Sequence, residues 1–216
     1  MQTNPLSPEQ EFQEARTIQT YDQYAKSWVN DHTRADDYAA ILAKLKELVP
    51  AGDVIDVGCG GGQGADILAP LSYTYLGVDA SAGMIAEAKH QHPELTFEAV
   101  NLYDLAKLGR QFEVFWCSAV LLHIPKSRID EALRAISSIV KSGGAGFISL
   151  KDGDTEDFEE RTVGDRQESR IFAYWQKAEF ESALQRNGFE IAYYNYHPLN
   201  ERSKWHRFVV RKATDS

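Results

Sequence analysis

The sequence is poor in cysteine and in positive charge. Its two cysteines, Cys59 and Cys117, do not form a C-x-x-C pair, so neither a disulfide framework nor a zinc site is predicted. Its 23 Lys and Arg against 32 Asp and Glu give a net charge of -9. Nucleic-acid partners are therefore disfavoured, because phosphate contacts need cations. Free cysteines are typical of the reducing cytoplasm, where we expect this chain.

Long apolar runs are also absent. No stretch of about 18 uncharged apolar residues occurs, and residues 1–16 are polar, so neither a membrane span nor a secretory leader is predicted. The 216 residues, 43% hydrophobic and 25% charged, suit one folded domain. We expect a flexible lead-in at residues 1–16 and a single domain over residues 17–216. Nothing in the sequence indicates an oligomeric state.

Strand-like and helical segments alternate along this domain. The helical spacing of Ile41, Leu45 and Leu48 stops at Pro50. Strands are then predicted at 54–57, 73–78, 95–100, 112–117 and 145–151, with two adjacent strands at 189–196 and 205–212. The pattern predicts a doubly wound α/β fold, with a seven-stranded, mostly parallel sheet, a C-terminal antiparallel hairpin and helices on both faces.

Local signals place the later elements. Ser127 and Asp130 resemble a capping box for a helix that is predicted to last until Gly143. Residues 152–160 hold six acidic side chains and are predicted as a solvated loop. A last helix is predicted at 175–186.

A glycine-rich turn, Gly58 to Gly62, follows the first predicted strand. Such a turn lets a ligand approach the backbone, and the run through Ala65 also fits the G-x-G-x-x-A pattern of dinucleotide folds. A carboxylate at Asp56 repels a pyrophosphate and attracts an ammonium group. Asp79, which ends the next strand, can accept the ribose hydroxyls of either kind of nucleotide. The charge at Asp56 therefore favours a cofactor with an amino-acid end.

Together these segments resemble the ordered motifs of class I (Rossmann-like) S-adenosylmethionine-dependent methyltransferases. The similar stretches are 54–62 (VIDVGCGGG), 75–84 (YLGVDASAGM), 97–105, 118–123 (SAVLLH) and 140–144 (VKSGG), where Ser142 replaces the usual proline. The resemblance spans residues 17–212. It implies an α/β fold, S-adenosyl-L-methionine as the cofactor and methyl transfer as the activity.

The resemblance also implies a set of cofactor-binding residues. It places Asp56, Gly58, Gly60 and Gly62 at the methionine moiety, Asp79 at the ribose, and Met84, Asn101 and Leu102 at the adenine, with Ala80, Ser81, Ser118 and Tyr24 completing the set. Asn101 stands where the family often has aspartate. A neutral amide would therefore meet the adenine amino group.

A sulfonium cofactor carries an activated methyl group, so the protein has mainly to align a nucleophile and exclude water. No metal is required, and the run from Asp152 fails as a calcium loop because Asp157 and Val163 stand where glycine and glutamate are needed. His123 follows the fourth strand at the ligand edge of the sheet and is the candidate catalytic residue. Two roles stay open for it: a base for the attacking group, or packing under the cofactor.

Two segments are candidates for the substrate side. Tyr21, Tyr24 and Trp28 share one predicted helix face, which resembles the family's lid, with core packing as the alternative. The segment 152–175 is expected to be a substrate-side insertion. Its arginines, Arg161, Arg166 and Arg170, precede an aromatic run and can bind an anion or simply balance their acidic neighbours. The expected substrate-binding residues are Tyr21, Trp28, Lys151, Arg170 and Tyr174.

The sequence thus predicts a methyltransferase that acts on O, N or S of a small molecule, with an anionic molecule as the sharper hypothesis. One alternative is a nicotinamide-dependent oxidoreductase on a Rossmann fold, which the position of Asp56 disfavours. The other is a non-catalytic S-adenosylmethionine-binding partner domain, because a fold does not fix a function. No membrane partner is expected.

Overall fold

The computed structural model describes residues 7–31, 37–71, 74–201 and 203–214, and a β-sheet lies at its centre. The strands are β1 (Val54–Val57), β2 (Tyr75–Asp79), β3 (Thr96–Ala99), β4 (Phe112–Ser118), β5 (Val140–Lys151), β6 (Glu156–Val163), β7 (Arg166–Ala173), β8 (Phe189–Asn200) and β9 (Ser203–Lys212). The α-helices are α1 (Pro8–Asp31), α2 (Ala39–Leu48), α3 (Ala65–Leu68), α4 (Ala82–Gln91), α5 (Ile129–Ser138) and α6 (Lys177–Arg186). Seven strands form the sheet in the order β3-β2-β1-β4-β5-β9-β8, and β6 pairs with β7 separately.

The centre of the sheet is parallel. β1 is buried at all four residues, pairs in parallel with β2 and β4, and β4 pairs in parallel with β5. Parallel strands end at the same edge, where ligands bind in open α/β sheets. Asp56, Asp79, Ser118 and Lys151 therefore lie along one edge, near the ends of these four strands.

The predicted architecture is confirmed. β9 pairs antiparallel with both β5 and β8, as predicted for the C-terminal hairpin. Under one face of the sheet, Leu133 of α5 and Phe180 of α6 belong to one buried cluster. Under the other, Ile41 of α2 and Ile85 of α4 belong to a second. Helices thus cover both faces of a doubly wound sheet.

The first helix begins earlier than predicted. α1 starts at Pro8, so residues 8–16 are helical and do not form a flexible lead-in, while residues 1–6 lie outside the described residues. The polar side chains of this segment are bonded to the domain. Gln10 Nε2 donates to Ser127 Oγ at 2.9 Å, and Glu14 forms an ion pair with Arg128. These contacts explain why a segment without helical periodicity is ordered.

Two local predictions around α5 are wrong. Ser127 lies in a short 3₁₀ helix, and Arg128 precedes α5 without a side-chain cap, because the Ser127 hydroxyl binds Gln10 instead. The helix ends at Ser138, well before Gly143, since Val140 already pairs with Phe112 as the first residue of β5. Strand pairing of a β-branched residue overrides its helical spacing.

The acidic segment is a hairpin and not a solvated loop. β6 and β7 pair antiparallel around a tight turn at Gly164, whose φ is 64°. β6 is largely exposed, whereas β7 is buried from Glu168 to Ala173. The Gly-Asp turn signal is present in the sequence, but the many charges hide the strand alternation on either side of it.

Side chains of α1 bind the outer edge of β7. Thr20 Oγ1 donates to the carbonyl of Ser169 at 3.0 Å and accepts from its N–H at 3.1 Å. The same edge is bound further along by Thr17 Oγ1, which accepts from Ile171 N–H, and by the Tyr24 hydroxyl, which accepts from Gln167 N–H. One helix face thus takes the place of a neighbouring strand and satisfies buried backbone groups.

Thr20→Val should lower the free energy of unfolding by about 1 to 3 kcal/mol, because it leaves the buried N–H and carbonyl of Ser169 without partners. Thr162→Val, at an exposed position of β6, is the matched control and should change stability by less than about 0.5 kcal/mol. Urea denaturation measures both. Equal effects of the two substitutions would show that α1 is not fastened in this way.

Candidate functional site

A cavity of about 500 Å³ opens at the carboxyl edge of the parallel strands. The glycine turn, the ends of β2 and β4, α1 and β7 all contribute residues to its lining. The cavity has two ends. We call the part around Asp56 and Asp79 the cofactor end, after the ligand that the sequence predicts there, and the other part the acceptor end, after the predicted methyl acceptor. The acceptor end is the contiguous cluster of Tyr21, Trp28, His123, Lys151, Arg170 and Phe172.

The glycine turn is shaped for close approach. Gly58, Gly60 and Gly62 have φ values of 69°, 54° and 87°, a region that residues with a side chain rarely adopt. A Cβ atom on Gly58 would lie 2.2 Å from Cγ2 of Val120. One on Gly61 would lie 2.2 Å from Cγ2 of Val29 in α1. The missing side chains therefore let Val120 and Val29 pack directly on this turn, and Gly58 and Gly60 line the cavity.

Asp56 is a buried carboxyl group at the cofactor end. It is 3% exposed and accepts a hydrogen bond from the Tyr75 hydroxyl at 3.0 Å. Burial raises the pKa of Asp56 to about 7, the Tyr75 bond opposes the shift, and the charge of Asp79 adds to it. An ammonium group beside Asp56 would reverse this shift, since it stabilises the carboxylate.

Asp79 binds the two loops that enclose the cofactor end. Its carboxylate accepts from Gly60 N–H at 3.0 Å and from Ser81 N–H at 2.9 Å. Burial raises the pKa of Asp79, and these backbone donors oppose the shift. Ser81 accepts from Met84 N–H and donates to Asp22 of α1, so it caps α4. The carboxylate of Asp79 is therefore held in place by the protein's own backbone.

The residues predicted at the adenine lie in the same cavity. Met84, Asn101 and Leu102 line it. The Asn101 side-chain oxygen accepts from Tyr103 N–H at 3.0 Å. Ser118 also lines the cavity, with its hydroxyl 3.0 Å from that of Ser149.

His123 is fixed through both ring nitrogens. Its Nδ1 lies 2.6 Å from the carbonyl of Ile171, which can only accept, so Nδ1 carries the proton. Its Nε2 lies 2.7 Å from the Tyr21 hydroxyl and accepts from it. Burial lowers the pKa of His123 to about 3, with the charges of Arg170 and Lys151 lowering it further. The ring is therefore neutral, and the sequence-based choice between base and packing role stays a prediction.

Arg170 is buried and paired. Its Nη2 donates to Glu168 at 2.8 Å and its Nη1 to the Tyr21 hydroxyl at 3.3 Å. Its guanidinium carbon lies 4.8 Å from the centre of the Trp28 ring and 5.2 Å from that of Phe172. The charge partner of Arg170 is thus Glu168 and not the acidic run 152–160.

Most of the predicted site residues meet in this cavity. Those that line it are Asp56, Gly58, Gly60, Asp79, Ala80, Met84, Asn101, Leu102, Ser118, Tyr21, Trp28, His123, Lys151 and Arg170. Those outside its lining are Gly62, Ser81, Tyr24 and Tyr174. The Tyr24 hydroxyl accepts a hydrogen bond from Gln167 N–H at the edge of β7, and the Tyr174 hydroxyl donates to Glu159 at 3.3 Å.

Several residues that line the cavity were not predicted from the sequence. They include Tyr38, Trp116, Glu159, Phe172, Leu199 and Trp205. Phe172 belongs to the aromatic run of the predicted insertion 152–175, and this run could have indicated it as a lining residue. Trp205 and Leu199 come from the terminal hairpin, and only the tertiary fold brings them to the cavity. Among the described residues, no group of three His, Cys, Asp or Glu side chains could hold a metal ion.

A methyltransferase-domain family matches residues 31–194, and the chain belongs to this family. Ubiquinone biosynthesis O-methyltransferases from Brucella ovis and from Coxiella burnetii are 34% and 30% identical to it over 99 and 100 residues, 44% of this chain. The matches cover 39% and 42% of those proteins, so the chain spans about two fifths of the length of these curated relatives.

Two solved structures share the fold. A complex of the protein DhpI with SAH superposes with a TM-score of 0.75 at 21% identity, covering 94% of this chain and 98% of that one. The Burkholderia thailandensis 1,6-didemethyltoxoflavin-N1-methyltransferase, bound to 1,6-didemethyltoxoflavin and S-adenosylhomocysteine, gives 0.68 at 17% identity, covering 100% and 94%. In the described part of the chain, no helix is long and apolar enough to cross a bilayer.

Gly58→Ala should destabilise the protein by more than the 1 to 3 kcal/mol or so expected from backbone strain alone, because the new methyl group also meets Val120. Gly109→Ala is the matched control: its φ is 64°, and a Cβ atom there would meet nothing within 4 Å. Denaturant unfolding of both variants separates strain from collision. Equal losses would mean that the turn tolerates a side chain.

Proposed function

We propose that the chain transfers a methyl group from S-adenosyl-L-methionine to O, N or S of a small molecule. The observation that carries the proposal is the pair of carboxyl groups, Asp56 and Asp79, that line one cavity together with Gly58 and Gly60 of the glycine turn. Membership of the methyltransferase-domain family supports it. When bound, the cofactor supplies a methyl group on a positively charged sulfur.

The cofactor end fits this cofactor in charge and shape. Asp56 offers a buried carboxyl to an ammonium group, and Asp79 offers one to ribose hydroxyls. Met84 and Leu102 provide apolar surface, and Asn101 provides an amide, for an adenine ring. A side chain at Gly58 would collide with Val120, which also lines the cavity. The protein's own contribution is then to orient the two ligands and exclude water.

The acceptor end suits a small molecule. The volume of the cavity is in the range of ordinary ligand pockets, and aromatic side chains surround it. His123 is the candidate catalytic residue of this end, as a base or as the group that orients Tyr21. Tyr21, Trp28, Lys151 and Arg170 are the candidate substrate contacts, and Arg170 with Lys151 favours an anionic molecule. A cytoplasmic setting is part of the proposal, and the free thiols of Cys59 and Cys117 are in line with it.

The nicotinamide-dependent alternative is disfavoured by charge. A buried carboxyl at Asp56 would repel a pyrophosphate at the glycine turn. A Tyr-x-x-x-Lys pair occurs at Tyr103 and Lys107, but the Lys107 side chain is 77% exposed and bound to Asp104. Thermal-shift assays decide between the two functions. We expect stabilisation by S-adenosylhomocysteine and none by NAD or NADP, and the opposite result would overturn the proposal.

Asp79→Ala should weaken S-adenosylhomocysteine binding by roughly 1.5 to 3 kcal/mol, the amount expected for lost hydrogen bonds to a charged group. Asp104→Ala, which removes a half-exposed carboxylate outside the cavity, is the control and should leave the affinity unchanged. Titration calorimetry gives both values. If Asp79→Ala binds as tightly as the parent, Asp79 does not contact the ligand.

Binding should also release a proton. The pKa of Asp56 in the free protein is about 7, so at about pH 6 the group is mostly protonated, and a bound ammonium group converts it to the carboxylate. Affinity should therefore rise as the pH rises from about 5 to 7. At about pH 6 the measured binding enthalpy should vary with the ionisation enthalpy of the buffer. Asp56→Asn should abolish this buffer dependence, and a buffer-independent enthalpy in the parent would argue against the assignment.

A further inference from the structure

Two cations share one aromatic ring at the acceptor end. Lys151 Nζ lies 4.6 Å from the centre of the Phe172 ring, and the guanidinium carbon of Arg170 lies 5.2 Å from it. Both side chains line the cavity. Cations at such distances are attracted by the ring without losing their charge. Two cationic side chains therefore line the acceptor end of the cavity.

Three arginines share the buried carboxylate that pairs with Arg170. Glu168 is 3% exposed and is shared by Arg161, Arg166 and Arg170 at 3.3, 3.6 and 2.8 Å. An arginine has five N–H donors, and Arg170 directs one to Glu168 and one to Tyr21. Within the described residues, its other N–H groups have no acceptor. Arg170 thus keeps both charge and donors for a ligand.

At the same end of the cavity, both ring nitrogens of His123 are already engaged in hydrogen bonds. The lone pair of His123 Nε2 already accepts the Tyr21 proton, and its Nδ1 proton is given to the Ile171 carbonyl. The Tyr21 hydroxyl has no second proton to donate and accepts from Arg170. Glu159 is the carboxylate that lines the cavity from β6, and it already accepts from the Tyr174 hydroxyl. A neutral hydroxyl bound here could pass its proton to His123 only by a relay through Tyr21, and burial with the charges of Arg170 and Lys151 lowers the pKa of His123, which opposes that transfer.

We infer that the methyl acceptor is itself an oxyanion, a carboxylate or phosphate oxygen on a small molecule with an apolar part, held by Arg170 and Lys151. This inference rests on the proposed function and names its substrate class. A lone pair of the oxyanion forms the new O–C bond while the bond from the methyl carbon to sulfur breaks, and its electron pair stays on sulfur. The negative charge of the acceptor and the positive charge of the sulfonium vanish together.

No proton leaves in this step, so no base is required. The loss of both charges is favoured in a dry cavity, where ions are poorly solvated. In this account His123 is a positioning residue. It holds the Tyr21 hydroxyl, which in turn holds Arg170 against Trp28 and Phe172.

Binding of matched probes tests the charge preference. Protein saturated with S-adenosylhomocysteine is titrated calorimetrically with benzoate, phenyl phosphate and neutral benzamide, which share an aromatic ring. At least one of the two anions should bind about tenfold or more tighter than benzamide. Equal or tighter binding of benzamide, or no measurable binding of either anion, overturns the inference. Failure to bind S-adenosylhomocysteine would overturn the proposed function itself.

Two variants and one control test whether Arg170 and Lys151 cause the preference for anions. Arg170→Met and Lys151→Met should each weaken the tighter-binding anion about tenfold or more while leaving S-adenosylhomocysteine affinity unchanged. Arg170→Met leaves the buried carboxylate of Glu168 with fewer partners and can therefore fail to fold. In that case Lys151→Met alone decides the test. Arg166→Gln is the control, because Arg166 shares Glu168 but does not line the cavity. A loss in the control equal to that in Lys151→Met would contradict a direct contact.

A methyl-transfer screen tests the missing base. With labelled cofactor, carboxylic and phosphoric acids should be methylated and matched alcohols and amines should not. The pH profile of kcat/KM should follow ionisation of the acceptor, and it should keep its shape in His123→Gln and Glu159→Gln even where the rate falls. Transfer to alcohols alone, or loss of a limb of the profile in either variant, would restore a general base and refute the inference.

Discussion

The hydrogen bonds between α1 and the outer edge of β7 are the contacts on which the site depends. Thr17, Thr20 and Tyr24 satisfy one buried backbone edge, and His123 extends that edge by binding the Ile171 carbonyl. Because β7 is paired on its other side only with the exposed β6, the helix replaces a missing strand. Without it, the wall that carries Arg170 and Phe172 would have unsatisfied polar groups and no fixed position.

Much of the fold could be predicted because its signals are local. The buried run 54–57, the glycine turn and the alternation of strands and helices each follow from neighbouring residues. The β6–β7 hairpin could not be predicted so easily, since its inner strand buries charged residues that alternation treats as exposed. Glu168 and Arg170 are buried only because they bind each other. Their pairing depends on the tertiary structure and cannot be predicted from the local sequence.

The candidate site divides in the same way. Asp56, Asp79 and the glycines could be found because their positions at strand ends are fixed by the backbone. The neighbours of His123 could not be found, since Tyr21 and Ile171 lie far from it in sequence and decide which nitrogen carries the proton. Tyr24 and Trp28 share a predicted helix face with Tyr21, yet Tyr24 serves β7 while Trp28 lies against Tyr21 and Arg170.

The backbone of α1 is broken at Tyr24, where φ is -112° and ψ is 17°. The break divides the helix into two arms, and each arm contacts both ends of the cavity. The first arm carries Tyr21 on His123 and Asp22 on Ser81. The second arm carries Trp28 on Arg170 and Val29 on the glycine turn. A change in the angle between the arms would therefore alter both ends of the cavity at once.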